Sequence, residues 1–271
     1  MTTRKPSDTL VRLAELCTSF KLSTLAEQLG QRLIDAGHDD VLPLLLEIFE
    51  LEAGDRRDRR VERLRRASRL PMGKTLETLD VARFPKALAA KMKELAKGDF
   101  LDRADNVLCF GVPGVGKSHA AAALGHALVA QGHSVFFTPT FKLVQELLAA
   151  KRDLKLHRVL RTLDAFELLI LDDIGYVQQD PTEVDVLFTL MAERYERRSM
   201  LLTSNLVFSE WNKIFKDPMT TAAAIDRVVH HSVILEFTDV TTFRGEAARK
   251  RAAKGKGSND DNYTGDAVNG A

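Results

Sequence analysis

The residues best placed to do chemistry form one uninterrupted run, GVPGVGKS from Gly111 to Ser118. Its spacing, G-x-x-x-x-G-K-S, follows an apolar run at Asn106 to Phe110 and precedes an Ala-rich stretch, the context of a phosphate-binding loop between a strand and a helix. Gly111, Gly114 and Gly116 admit backbone conformations that turn successive N–H groups inward around a phosphate, at the positive end of the helix that follows. Lys117 supplies a charge that reaches the β- and γ-phosphates, and the Ser118 hydroxyl is a ligand for Mg²⁺. Pro113, Val115 and His119 complete the stretch expected to contact nucleotide.

A second candidate is Asp172-Asp173, which ends the apolar run Glu167 to Leu171. A carboxylate at the tip of a buried strand beside the phosphate loop is placed to hold Mg²⁺ through water, the role expected of Asp172. Asp173 is then placed to polarise the attacking water, and its arm, shorter than that of glutamate, predicts slow turnover. A third candidate, Asn205, closes the run Met200 to Thr203 with Ser204. If that strand lies between the other two, Asn205 stands beside the γ-phosphate and orients the water; the alternative is a turn residue.

These residues need a scaffold, and the sequence predicts one. Short apolar strands at Asn106 to Phe110, Ser134 to Pro139, Glu167 to Leu171, Met200 to Thr203 and Val233 to Phe237 alternate with helical stretches. The pattern is that of an α/β fold, a parallel sheet flanked by helices. The helices are expected at Pro85 to Lys97, Lys117 to Gln131, Glu183 to Arg197 and, in two halves meeting near Asp153, Phe141 to Asp164. Thr75 to Phe84 reads as an extended lead-in after a linker at Pro71 and Gly73, and Ser209 as the cap of a further helix. Upstream, Leu10, Leu13, Leu16 and Phe20, then Leu42, Leu45, Leu46 and Phe49, mark a small all-helical module, broken by Gly30, Gly37 and Pro43. The expected organisation is a helical module over 1–70, a nucleotide-binding domain over 71–251 and a disordered Gly- and Asn-rich tail over 252–271.

The chain has 271 residues, 45% apolar and 28% charged, a normal composition for a water-soluble fold, and no apolar run approaches a membrane span. The basic N-terminus leads into mixed charge rather than an apolar core, so a cytoplasmic protein is expected. Cys17 and Cys109 are far apart and read as small apolar residues, and no metal besides Mg²⁺ is implied. The net charge of +1 conceals a basic segment, with nine basic residues against three acidic ones between Asp55 and Lys74. On a helix, Arg56, Arg57, Arg59, Arg60, Arg63 and Arg66 form either a solvated face or a surface for phosphate backbones.

Taken together, GVPGVGKS, LLILDD, LLTSN, AIDRVVHH and the terminal RGEAARKR resemble, in that order, the AAA+ ATPases of the initiator and helicase-loader group. ILDDIGY, TSNLVFSEW and the preceding helical module are most similar to the IstB-like ATP-binding helpers of insertion-sequence transposition. The resemblance implies ATP and Mg²⁺ as cofactors, a homo-oligomer with ATP between subunits, and Arg227 reaching the neighbour's nucleotide in trans. It also implies a C-terminal sensing arginine, Arg249, in Gly245-Glu246-Ala247-Ala248-Arg249, with Arg244 as a substitute. The added helix between Phe141 and Asp164 faces DNA in the initiator group, which implies DNA contact for Lys151, Arg152, Lys155 and Arg158.

The leading expectation is therefore an ATP-dependent factor that assembles on duplex DNA with little sequence specificity and directs a partner transposase. A helicase loader of the DnaC-like type is the alternative. A small-molecule kinase and a non-hydrolysing architectural DNA binder are readings from other classes.

Overall fold

The computed structural model describes residues 6–176, 180–211, 214 and 218–238. Arg244, Arg249 and the tail from 252 lie outside the described residues. Helices α1 (Pro6–Ser19), α2 (Ser23–Asp35) and α3 (Leu42–Ala67) come first. The chain divides into two compact units inside α3, one running to Arg63 and the other beginning at Leu64.

In the first unit Leu13, Leu16, Cys17, Leu42 and Leu46 are buried, and Phe20 stacks on Phe49 at 5.8 Å between ring centres. The expectation that Gly30 breaks a helix is corrected: it lies inside α2. A Cβ there would collide with Leu10 Cδ2, so glycine permits α1 and α2 to approach. Gly37, with φ +72°, does follow the end of α2, and Pro43 sits in the first turn of α3, where its missing N–H costs nothing.

The second unit is a parallel sheet of β1 (Asn106–Phe110), β2 (Val135–Pro139), β3 (Leu168–Asp172), β4 (Ser199–Ser204) and β5 (Ser232–Glu236), in the spatial order β2-β3-β4-β1-β5. The strands are apolar at their centres, with polar residues mostly at their ends, as in a sheet covered by helices, and every residue of β1 is buried. The helices are α4 (Lys86–Leu95), α5 (Asp99–Asp102), α6 (Lys117–Ala130), α7 (Thr140–Arg152), α8 (Leu156–Asp164), α9 (Pro181–Arg194) and α10 (Pro218–Val229). Residues 141–164 form two helices that meet at Asp153 to Lys155, as their periodicity predicts.

Strand β4 lies between β1 and β3, with Phe110 beside Ser204 and Leu171 beside Leu202. This adjacency brings three chain segments to one edge of the sheet. The phosphate loop, Asp172-Asp173 and Asn205 all leave the carboxyl ends of neighbouring strands, where open α/β sheets place their ligands.

Two further expectations need correction. Thr75 to Phe84 is turns and a 3₁₀ turn at Val81–Arg83 rather than extended chain, because the Thr78 hydroxyl gathers the backbone of Gly73 and Thr75 around itself. Helix α9 starts earlier and ends earlier than its periodicity suggests. Asp180 caps it by accepting from Thr182 N–H at 2.8 Å with Pro181 next, and past Arg194 the chain reverses through Glu196 at φ +54° into β4. Phe208–Glu210 is a single 3₁₀ turn, and most of the helix expected after Ser209 lies outside the described residues.

Candidate functional site

A cleft of about 370 Å³, the size of a small-molecule site, opens at this edge. On one side it is lined by Pro113, Gly114, Gly116, Lys117, Ser118 and His119, and on the other by Asp173, Thr203 and Asn205, with Lys74 completing the rim. Gly114 and Gly116 take φ of +88° and +102°, so the loop's path requires glycine there. The Lys117 ammonium donates to Gly111 O at 2.6 Å and Val112 O at 3.0 Å, which holds the charge against the loop. Val115 is fully buried, and neither it nor Gly111 is among the residues that line the cleft. Cys109, beneath the loop, is also buried, and burial pushes its thiol up to about 12.

The two aspartates sit differently. Asp173 lines the cleft; the Asp172 carboxylate does not and instead accepts the Thr203 hydroxyl at 2.6 Å. Thr203 Oγ1 in turn accepts Asp173 N–H at 2.8 Å, and Thr140 donates to Asp172 O at 3.0 Å. Asp173 has φ +65°, a conformation that costs an ordinary residue about 1 kcal/mol or more and is held by these bonds. Asn205 also lines the cleft, and its buried Oδ1 has no hydrogen-bond partner among the described residues. Gly175 makes room for it: a Cβ at 175 would collide with Asn205 Oδ1.

Arg227 is absent from the cleft of its own chain. It lies on α10 with its guanidinium 4.5 Å from the Phe188 ring centre, and its Nη1 is buried with no hydrogen-bond partner among the described residues. The arginines of α3 are exposed. Arg56 pairs with Glu52 at 2.6 Å and covers the Phe20 ring, and Arg59 reaches Glu52 and Asp55, whereas Arg57 and Arg63 form no ion pair among the described residues. Arg60 and Arg66 lie on the same exposed helix. Lys151 and Arg152 end α7, Lys155 precedes α8 and Arg158 lies on it; all are exposed, with Lys151 paired to Asp185 at 2.5 Å and Lys155 to Asp153 at 3.6 Å.

Three residues of the site escape sequence reasoning. Thr203 is one position in an apolar strand, though its place two residues before Asn205 on the strand that ends at the site is a usable signal. Gly175 reads as an ordinary turn glycine. Lys74 ends the basic segment but follows residues that read as a linker, and nothing local ties it to the cleft.

Comparison with known proteins fits this geometry. The family described as IstB-like ATP binding protein matches residues 12–254. A protein of Sinorhizobium fredii named as an insertion sequence ATP-binding protein is 47% identical over 74% of this chain and 67% of its own length. One of Pseudomonas aeruginosa, named for insertion sequence IS21, is 35% identical over 92% of this chain and 89% of its own. Among solved structures, AMPPCP-bound DnaA from Aquifex aeolicus superposes with a TM-score of 0.54 at 17% identity, covering 69% of this chain and 57% of that one. This likeness is one of fold, a parallel five-stranded sheet in the order β2-β3-β4-β1-β5 flanked by helices, with the phosphate loop leaving β1. Among the described residues no helix is long and apolar enough to cross a membrane.

Proposed function

We propose that this chain, which belongs to the family of IstB-like ATP-binding proteins, is an Mg²⁺-dependent ATPase that assembles on duplex DNA and directs a partner transposase. The observation that carries the reading is the cleft that joins a phosphate loop to Asp173 and Asn205 on adjacent strand ends while excluding Arg227 of the same chain. A site built this way binds phosphates from one side and holds a water from the other. It gains from an arginine that a second subunit supplies, since such a charge offsets what develops on the transferred phosphoryl group.

Each residue then has a defined task. Loop N–H groups and Lys117 hold the phosphates, and Asn205 and Asp173 orient and polarise the attacking water. Thr203 fixes both aspartates. Ser118 presents a hard oxygen donor in the cleft, and Asp172, set back from it on the Thr203 hydroxyl, would hold Mg²⁺ through water, in keeping with an ion that retains part of its hydration shell. When bound, the ion neutralises charge between the β- and γ-phosphates. Stacked on Phe188, Arg227 keeps its guanidinium on the face of α9 and α10, away from its own site. An arginine used in trans makes ATP a link between subunits, so assembly and hydrolysis are coupled.

The exposed arginines of α3 and the cations at the α7–α8 turn fit contacts to phosphate backbones rather than base reading. Because Arg56, Arg59, Lys151 and Lys155 already have acidic partners, Arg57, Arg63 and Arg158 carry the larger share in this reading. Sedimentation of the protein with duplex or single-stranded DNA, each with ATP, with ADP and without nucleotide, tests it. Large ATP-dependent particles on duplex are the expected result. Assembly confined to single strands would replace the reading with that of a helicase loader, and a monomer indifferent to DNA would end both.

A further inference from the structure

Residues Ser68 to Leu79, which follow α3, cross the phosphate-loop helix α6 as a strap. Phe137 N–H donates to Ser68 O at 2.7 Å. Leu70 occupies the space above Gly125, where a Cβ would fall 2.7 Å from Leu70 Cδ2 and 2.9 Å from Ile170 Cδ1, so glycine at 125 seats the strap. His126 Nε2 lies 3.1 Å from Pro71 O, and His119 Nε2 lies 3.1 Å from Thr78 Oγ1. Between these two anchors the chain turns at Gly73, φ +76°, and closes on the Thr78 hydroxyl, which lies 2.7 Å from Gly73 O and accepts Thr75 N–H at 2.9 Å.

This turn sets Lys74 on the rim of the cleft, among the same lining residues as Lys117, Ser118 and Asp173. Lys74 forms no ion pair among the described residues, although acidic partners are common for the surface cations of this chain. A cation left uncompensated at the mouth of a phosphate site, on a segment anchored at both ends, meets the needs of an anionic ligand.

We propose that Lys74 is a second phosphate-binding cation for the nucleotide, delivered by the strap, so that bound nucleotide clamps the strap onto α6. The proposal rests on the reading of the cleft as an ATP site. Lys117 answers the phosphates from the loop and Lys74 from the strap, which is anchored to the same helix at His119. The strap is continuous with the basic helix α3, so occupancy of the site changes the anchoring of the segment that follows that helix.

The test compares wild type, Lys74→Gln and Lys74→Arg in titrations with a fluorescent ATP analogue and, in competition, with inorganic tripolyphosphate, at low and moderate salt. Lys74→Gln is expected to weaken both ligands by roughly tenfold or more and to flatten the salt dependence, with Lys74→Arg restoring most of the loss. Hydrogen exchange over residues 72–79 is expected to slow on nucleotide binding in wild type and not in Lys74→Gln. Three results overturn the proposal: Lys74→Gln binding both ligands within twofold of wild type, weakening confined to the nucleoside-bearing ligand, or no recovery in Lys74→Arg with an unchanged apo melting temperature. Failure of wild type to bind either ligand would sink the ATP reading itself and Lys74 with it, whereas wild-type binding with indifferent variants removes only Lys74.

Discussion

Thr203 donates its hydroxyl to Asp172 Oδ1 over 2.6 Å, and the same hydroxyl oxygen accepts the backbone N–H of Asp173 at 2.8 Å. One side chain therefore sets the carboxylate assigned to the metal and the backbone of the residue assigned to the water. Thr203→Val keeps the shape and removes both bonds. It strands the Asp173 N–H and frees a residue held at φ +65° to relax. The expected outcome is an ATPase rate lower by roughly tenfold to a hundredfold with nucleotide affinity nearly unchanged. Steady-state hydrolysis paired with a nucleotide titration checks this, and a wild-type rate would remove Thr203 from the site.

Gly175 and Asn205 form a second pair of this kind. Because a Cβ at 175 would collide with Asn205 Oδ1, Gly175→Ala must displace the amide that lines the cleft. Hydrolysis is expected to fall by about the same factor as in Asn205→Ala, and the double variant to lose no more than either single one. Additive losses would show that the two positions act independently.

Much of this site is legible in the sequence because its chemistry lies in contiguous runs. GVPGVGKS and Asp172-Asp173 are each contiguous runs, and the strand that leads to Asn205 lies between theirs, which brings its amide to the same cleft. What escapes the sequence depends on contacts across long separations. Thr78 meets His119 forty-one positions away, and Gly175 packs against Asn205 from the end of the neighbouring strand. The strap reads as linker and extended chain because Pro71 and Gly73 signal a turn whether the turn is loose or anchored. Gly30 reads as a breaker because a glycine inside a helix looks the same whether it ends the helix or admits a neighbour.

Arg227 leads to a prediction about assembly. Its guanidinium rests on Phe188, with Nη1 buried and unpartnered among the described residues, a position of stored cost that a phosphate oxygen of a neighbouring site would relieve. Arg227→Ala should retain ATP binding and lose hydrolysis and ATP-dependent assembly together. Mixed with Lys117→Ala protein, it should regain part of the activity, because a competent site needs Lys117 and Arg227 from different chains. No recovery in the mixture would place the arginine's action within one chain.

His119 gives the strap a pH dependence of defined sign. Burial, then the Lys74 ammonium, hold its pKa below 6.5, against a raising contribution from the Thr75 backbone. Between that lowered value and 6.5 the unfolded chain binds more protons than the folded one, so stability rises with pH. The neutral ring's contribution is complete above 6.5 and is lost as pH falls through the folded value. Thermal melts over this window should show a steeper acid loss for wild type than for His119→Asn, and equal slopes would exclude the ring as the cause.

Arg194 tests the scaffold rather than the site. Its side chain is 1% exposed, and its guanidinium donates to Leu163 O, Phe166 O and Ser199 O at 2.9–3.0 Å and to Glu167 O at 3.4 Å. It thereby joins the end of α8, the approach to β3 and the start of β4. Burial pushes its pKa down to about 10, so the group stays charged at neutral pH, and the carbonyl dipoles stand where a carboxylate would usually be. Arg194→Met fills the volume but strands those acceptors, and the expected cost is on the order of 2–4 kcal/mol. Arg194→Lys keeps the charge but cannot span the same carbonyls, so its stability should fall between those of wild type and the methionine variant. Urea unfolding reads the difference as a lower midpoint at an unchanged slope. A methionine variant as stable as wild type would mean that the carbonyls find other donors and that Arg194 is not what ties β3 and β4 to α8.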